Sequence, residues 1–371
     1  MLLPFFISAY AVVIAALYFF LPLYLKGALG FSGGEIGLLY GVLSLNSLVA
    51  AFPVGVLGDR YAARILTRLG LFGTAFTLWL LPQVERFWPF LLVFFLFGLS
   101  LLMFRQSLDI MLFKEDALDD RTRRFGVYNA WRMGGMTAGI LLGGVSLHYL
   151  DFPRTFVLLG ALMLLLLVLT WRLPRTRGRR IPLLHYGRDF LSRPVLFFVT
   201  WLFLFTMHWG AEGTSLGLFL TTGLGLTPLG MGLYLAGEFS LVALTAYLYG
   251  RFWAGRLSPR GFLTLALATS GLGHILMTYP HLVWSFLWRG VHGLGDGLIM
   301  METYTTIARL FKVERIGGHA GLITLTTTLG TLTGSLVFGP LGAAWGYHLP
   351  LVVSGLTSLA LIPLAYIGLK E

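Results

Sequence analysis

The sequence predicts an all-α integral membrane protein: twelve transmembrane helices in two pseudo-symmetric six-helix bundles, with both termini cytoplasmic. Three observations carry this expectation. Only 12% of the 371 residues are charged and 57% are hydrophobic, about half the charge content of an ordinary soluble domain, so no water-facing surface can be assembled. Twelve long apolar stretches follow one another with short connections. The basic residues alternate between those connections instead of spreading evenly along the chain.

A bilayer core about 30 Å thick requires about 20 apolar residues per helix. Stretches that meet this lie at 4–25, 34–57, 65–82, 88–112, 125–148, 155–172, 195–222, 228–250, 261–278, 282–308, 318–343 and 349–369. They are apolar throughout, whereas barrel strands alternate polar and apolar residues. The first stretch opens Met1-Leu2-Leu3-Pro4, without a basic flank or a small-residue cleavage site, and reads as a retained helix rather than a signal peptide. In or beside the connections after spans 2, 4, 6, 8 and 10 stand 20 Lys and Arg, and after odd-numbered spans only Lys26, Arg86 and Arg154. The positive-inside rule then places both termini in the cytoplasm, of the plasma (inner) membrane. The net charge of +11 is thus a topology signal rather than a nucleic-acid footprint. The absence of cysteine excludes disulfides, thiolate metal sites and cysteine nucleophiles. No phosphate-cradling loop or tightly spaced metal-ligand cluster occurs, so neither cofactor nor metal is expected.

The longest connection, 173–194, separates an N-terminal bundle (1–172) from a C-terminal bundle (195–371). It is rich in arginine and holds a short amphipathic stretch, 183–191. A repeat supports the division. Gly55-Val56-Leu57-Gly58-Asp59-Arg60-Tyr61-Ala62-Ala63-Arg64 follows span 2. Arg251 to Arg260 follows span 8, with Arg256 and Arg260 in register with Arg60 and Arg64, and Gly255 where Asp59 stands. Two six-helix halves related by a repeat are a design common among transporters.

The decapeptide from Gly55 to Arg64 resembles the loop signature of the major facilitator superfamily. That resemblance implies a twelve-helix fold, and it implies that Asp59, with Arg60 and Arg64, joins a charge cluster that opens and closes with the transport cycle. Asp109, Arg124-Phe125-Gly126, Trp131 and Gly134-Gly135 resemble the span 4 to span 5 region of the sugar and phenylpropionate type of proton symporters. Gly139 to Gly144 lacks the proline that drug antiporters usually carry in span 5.

Ionisable residues at bilayer depth are costly, about 2.5–3.5 kcal/mol each on insertion scales, and they mark functional sites. At about 100° per residue, Arg289, His292 and Asp296 of span 10 share a stripe about 60° wide, with Glu302 opposite. His208 and Glu212 of span 7, beside Trp209, share a face at i,i+4. The resemblance implies that spans 7 and 10 line a cavity, so the two sets should face each other. Asp296, Glu212, His292 and His208 are therefore the candidate proton carriers. Arg289 could hold an anionic group or neutralise Asp296. Arg289, Trp209, Arg105 and Asn46 are candidate substrate contacts, although Asn46 could equally bond a neighbouring carbonyl. Arg105, Asp109 and Arg132 form a candidate gate cluster toward the cytoplasm. Glu238, like Asn46, is a single polar residue near mid-depth that could bond a neighbouring backbone carbonyl, the reading favoured for Asn46, and His274 reads as solvated or interfacial.

The expected function is secondary active transport of a small organic solute by alternating access, coupled to protons, by a monomer in the lipid bilayer. The alternative is an exporter or flippase of amphiphilic lipids or drugs on the same fold. An intramembrane enzyme or receptor is remote: Gly293-Leu294-Gly295-Asp296 matches an aspartyl-protease pattern, but no Tyr-Asp partner occurs in the chain.

Overall fold

The protein is represented by a computed structural model that describes residues 2–18, 20–115, 121–176, 178–256 and 258–364. Residues 365–369 of the twelfth expected span, with Arg177 and Leu257, lie outside the described residues. All regular structure among the described residues is helical. In chain order the α-helices are α1 (Leu3–Tyr18), α2 (Leu21–Gly27), α3 (Gly33–Arg60), α4 (Ala63–Leu80), α5 (Phe87–Phe113), α6 (Arg121–Tyr149), α7 (Phe152–Leu169) and α8 (Leu183–Phe190). After these come α9 (Arg193–Ala211), α10 (Gly217–Thr222), α11 (Pro228–Leu248), α12 (Pro259–Leu276), α13 (Leu282–Leu310), α14 (Ile316–Trp345) and α15 (His348–Ala360). Two π-helical turns, Glu212–Leu216 and Tyr249–Trp253, extend α9 and α11.

Local sequence sets the helix starts. Ser32 caps α3 in a reciprocal capping box with Glu35, and Asp151, Thr227 and Ser258 accept first-turn amides of α7, α11 and α12, relieving donors that would otherwise go unpaired. Among the described residues, eight segments are long and apolar enough to cross a membrane: Leu3–Gly27, Gly33–Arg60, Ala63–Gln83, Phe87–Phe113, Phe152–Arg172, Arg193–Thr222, Pro228–Trp253 and Val313–Trp345. The expected spans at 125–148, 261–278, 282–308 and 349–369 coincide with α6, α12, α13 and α15. In α13, glycine, histidine and charged residues dilute the hydropathy, and α15 is short. Large apolar side chains such as Leu92, Val168 and Leu336 point outward, the arrangement that lipid as solvent favours.

The chain divides into two compact units. The first comprises Met1–Asp116, Gly135–Tyr186 and Phe311–Leu325; the second comprises Ala117–Gly134, Gly187–Leu310 and Thr326–Glu371. Within the first, α4 packs against α5 and α7, and α3 against α5. Within the second, α12 packs against α13 and α15, and α11 against α13. The same pairing pattern thus recurs half a chain later, as the repeat implies. The repeat diverges at its tip. In the first copy α3 stays helical through Asp59 and Arg60, whereas in the second the chain leaves α11 by a π turn and Gly255 takes a left-handed φ of 75°, a conformation glycine adopts without strain.

Small residues allow close helix approach, the usual means of packing where burial from lipid supplies no hydrophobic drive. In the second unit the decisive crossing is α12 on α13. A Cβ on Gly273 would overlap the backbone of His292, and one on Gly295 would overlap Ser270. That crossing sets Ser270 and His274 of α12 beside His292 and Asp296 of α13.

Candidate functional site

The second unit holds a cluster of eight polar or ionisable side chains from α9 with its π turn, α11, α12 and α13. His208 lies in the last turn of α9, and Glu212 opens the π turn that follows it. Such bulges redirect side chains inside helices and recur at functional sites. Ser270 and His274 come from α12, Glu238 from α11, and Arg289, His292 and Asp296 from α13, with Trp209 at the edge. Arg289 is 2% exposed and is held between two carboxylates, with Nη1 2.5 Å from Glu212 Oε1 and Nη2 2.7 Å from Glu238 Oε2. Glu212 Oε1 also lies 3.0 Å from His292 Nε2 and 3.6 Å from His274 Nε2. Asp296 Oδ1 accepts the Ser270 hydroxyl at 2.8 Å and Oδ2 accepts the Trp209 indole N–H at 3.1 Å. Oδ2 also meets His208 Nε2 at 3.1 Å.

The surroundings settle the histidine tautomers. His208 Nδ1 lies 2.6 Å from the Phe205 carbonyl and His292 Nδ1 2.9 Å from the Ser270 carbonyl; a carbonyl only accepts, so both Nδ1 atoms carry hydrogen. The Ser354 hydroxyl donates to the Leu351 carbonyl at 3.0 Å and therefore accepts from His274 Nδ1 at 3.0 Å. All three rings thus anchor Nδ1 outside the cluster and turn Nε2 toward carboxylates. At His208 the remaining contact joins Nε2 to a carboxylate oxygen, and a hydrogen bond there requires one proton held between the two. His292 Nε2 faces Glu212 Oε1 at 3.0 Å, an ion-pair distance rather than an aligned hydrogen bond. Against one guanidinium the cluster sets three carboxylates, an excess of two negative charges before any proton is added. In a low-dielectric interior such an excess has to be neutralised.

His208, Glu212 and His292 also offer one ligand atom each within 4.8 Å of one another. A metal ion is nonetheless a poor fit, because the Glu212 oxygen is already paired with Arg289 and His208 Nε2 is already bonded to Asp296.

The structure corrects three of the sequence expectations. Arg289 pairs with Glu212 and Glu238 rather than with Asp296, whose partners are His208, Ser270 and Trp209. Both Nη groups of Arg289 are engaged, so none faces a solute anion. His274, expected to be solvated or interfacial, is 1% exposed, because α13 and Ser354 of α15 enclose the end of α12. Glu238 is an ion-pair partner, not a lone residue bonded to backbone. Sequence reasoning also passed over Ser270; the small-residue stripe that brings α12 onto α13 was the one available signal. The expected facing of His208 and Glu212 toward the α13 stripe is present. Trp209 keeps 39% of its surface exposed while bonded to Asp296.

The remaining candidates lie apart from this cluster. Asn46 is buried in the first unit and donates to the Phe95 carbonyl at 3.0 Å, the bland alternative for that residue. In the same unit Arg105 Nη2 donates to the Thr324 hydroxyl at 3.3 Å, and Asp109 is buried. In the second unit Arg132 Nη1 donates to the Tyr304 hydroxyl at 3.2 Å. Glu302 accepts from the Thr306 hydroxyl at 2.9 Å and pairs with Arg309 at 3.5 Å.

The Gly55–Arg64 signature builds a second polar site, wholly within the first unit. Asp59, 1% exposed, receives the N–H groups of Gly317 at 3.0 Å and Gly318 at 2.7 Å. These are first-turn amides of α14, which lack intrahelical partners and carry the positive end of the helix dipole. Lys114 Nζ lies 2.8 Å from Oδ1, and the Tyr186 hydroxyl donates to Oδ2 at 3.0 Å. Gly55 and Gly317 are small out of necessity, since a Cβ on either would overlap a backbone carbonyl of the other helix. Arg60 lies exposed at the end of α3, its guanidinium 5.6 Å from the Tyr61 ring centre. Arg64 stands half-buried in the first turn of α4.

Opposed ionisable side chains buried in mid-helix of a membrane bundle mark a functional site. The chain belongs to the Major Facilitator Superfamily, whose profile matches residues 3–260 and 202–371. Among solved structures it is similar to the human organic anion transporter MFSD10 (TETRAN), with a TM-score of 0.78 at 18% identity over 97% of each chain. It is also similar to the transporter FucP in its outward conformation, with a TM-score of 0.77 at 12% identity over 100% of this chain and 98% of that one. Both likenesses show the fold alone.

Among sequence relatives, the multidrug resistance protein MdtG of Salmonella arizonae is 23% identical over 355 residues, 89% of this chain and 85% of its own. The methyl viologen resistance protein SmvA of Salmonella typhimurium is 29% identical over 217 residues, 54% of this chain and 43% of its own. The putative glycerol-3-phosphate transporter 1 of Arabidopsis thaliana is 26% identical over 152 residues, 36% of this chain and 29% of its own. The chain therefore spans less than half the length of the last two.

Proposed function

We propose that this protein is a proton-coupled secondary transporter that moves a small organic solute by alternating access through twelve spans. On this reading both termini face the cytoplasm and the protein sits in the inner membrane. The observation that carries the coupling is the His208–Asp296 hydrogen bond: with Nδ1 committed to the Phe205 carbonyl, the contact exists only while one proton is held there. When that proton leaves, either a charge is stranded or the contact breaks, and breaking it frees α9 from α13. Glu212 and His292, 3.0 Å apart, are a second pair of titratable groups beside it, with Arg289 and Glu238 as counter-charges. The excess of carboxylates favours an organic cation as the exchanged solute, because a cation can neutralise the acids that protons leave. SmvA is named for resistance to methyl viologen, an organic cation, and MdtG for multidrug resistance. On the same reading Asp59 is a gate: the donors of Gly317, Gly318, Lys114 and Tyr186 hold the start of α14 on α3 in this state and release it in another, with Arg60 and Arg64 at the neighbouring helix ends, while Arg105 and Asp109 of α5 and Arg132 of α6 are further candidate gate residues.

The test is purified protein in liposomes loaded with a pH-reporting dye, challenged with methyl viologen and tetraphenylphosphonium as cations and glycerol 3-phosphate as an anion. Proton movement that depends on a cation, together with solute accumulation driven by an imposed pH gradient, is the expected result. Solute flux indifferent to the gradient refutes the coupling, and flux of the anion alone refutes the solute class.

A further inference from the structure

The linker after α7 is anchored along the turn between α3 and α4. The Thr176 hydroxyl accepts the Ala63 N–H at 2.9 Å, and the Arg179 N–H donates to the Asp59 carbonyl at 2.8 Å. Gly178 approaches so closely that a Cβ would overlap the Arg60 carbonyl. The strap ends at Tyr186 of α8, which is 1% exposed although its neighbours Leu183 and Leu184 are strongly exposed. The Tyr186 ring sits edge-on to Phe52 at 5.8 Å and 5.4 Å from His319, and it fills the space a side chain on Gly318 would need. Its hydroxyl donates to the same Asp59 oxygen that accepts the Gly318 N–H. The phenol therefore completes the donor set around Asp59 while its ring roofs the first turn of α14. Burial and the adjacent carboxylate both push the Tyr186 phenol up from its ordinary value, so it stays a hydrogen-bond donor.

We propose that Tyr186 is a positioning residue for the Asp59 gate, and that the linker contacts made by Thr176, Gly178, Arg179 and Tyr186 form a strap that must loosen before the start of α14 can leave α3. The proposal rests on the reading of Asp59 as a gate and is independent of proton coupling and of solute identity. A hydrogen bond to a charged group contributes about 1.5–3 kcal/mol, so losing it shifts a two-state equilibrium at least about tenfold.

The test uses the fact that the chain contains no cysteine. A single thiol introduced as Val56→Cys, at the α3 residue that meets Gly318, reports separation of the two helices through its rate of maleimide labelling in liposomes, with no substrate or pH gradient needed. Tyr186→Phe keeps the ring and removes the donor. The expected result is labelling about tenfold faster with unchanged melting temperature, and little further increase when Tyr186→Phe is added to Asp59→Asn. Labelling at the parental rate overturns the proposal, because the ring then acts by packing alone. A full additional increase in the Asp59→Asn background also overturns it, because the phenol then acts through something other than Asp59. If Tyr186→Phe fails to fold, Asp59→Asn labelling at the parental rate serves as the refuting result. Parental labelling combined with intact pH-driven flux removes the strap and leaves the transport reading standing.

Discussion

Replacing Asp296 with Asn separates its proton from its shape. The carboxylate accepts from Ser270 through Oδ1, and through Oδ2 it accepts from Trp209 and shares a proton with His208. An asparagine keeps two of these three contacts in one orientation: its oxygen accepts from Ser270, and its amide nitrogen donates to the bare Nε2 of His208. The Trp209 N–H then loses its acceptor, but the indole is 39% exposed and can find water. The cost is that of one lost hydrogen bond, about 1 kcal/mol. Had Asp296 been the counter-charge of Arg289, breaking a buried pair would cost about 3–5 kcal/mol. Asp296→Asn should therefore melt close to the parent, and it should lose the exchangeable proton at His208. In liposomes, counterflow exchange of solute should survive because it needs only the loaded carrier to reorient. Accumulation driven by a pH gradient should vanish because net cycling requires proton release on the far side. A variant of parental stability with full accumulation refutes the assignment, and a loss of several kcal/mol with failure of both modes shows that Asp296 is structural.

Three further outcomes follow from the same geometry. Arg289→Met leaves Glu212 and Glu238 buried without their shared counter-charge and should cost about 3–5 kcal/mol, read as a large drop in melting temperature in detergent; adding Glu238→Gln should recover part of it. Gly55→Ala drives a methyl group into the Gly317 carbonyl, so the Val56→Cys reporter should label faster, whereas Gly37→Ala, at an α3 position with open space around it, should not change the rate. Lys114→Met removes the ammonium paired with Asp59 but leaves the Gly317, Gly318 and Tyr186 donors, and should raise the labelling rate less than Asp59→Asn does; an equal or larger effect would show that the ion pair, and not the α14 amides, holds the carboxylate.

Hydropathy and helical periodicity are properties of a single segment, and they were enough to identify an all-helical membrane fold, the half-chain repeat and the Gly55–Arg64 signature. They also put Arg289, His292 and Asp296 on one face and His208 with Glu212 on another, because spacing of three or four residues dictates a shared face before any neighbour is known. What periodicity cannot contain is the identity of that neighbour. Arg289 takes Glu212 and Glu238, leaving Asp296 to His208, because α11 approaches α13 at the level of Glu238 and the π turn carries Glu212 across. His274 lies near the end of its apolar run, where depth counted along the helix suggests solvent. Its burial depends instead on α13 and α15, which close over that end of α12 through Gly273 and Ser354. Tyr186 gives no sign along the chain of its bond to Asp59, 127 residues earlier. Faces and depths are local and legible in sequence, whereas partners depend on which helices cross and at what height, and only the tertiary packing decides that.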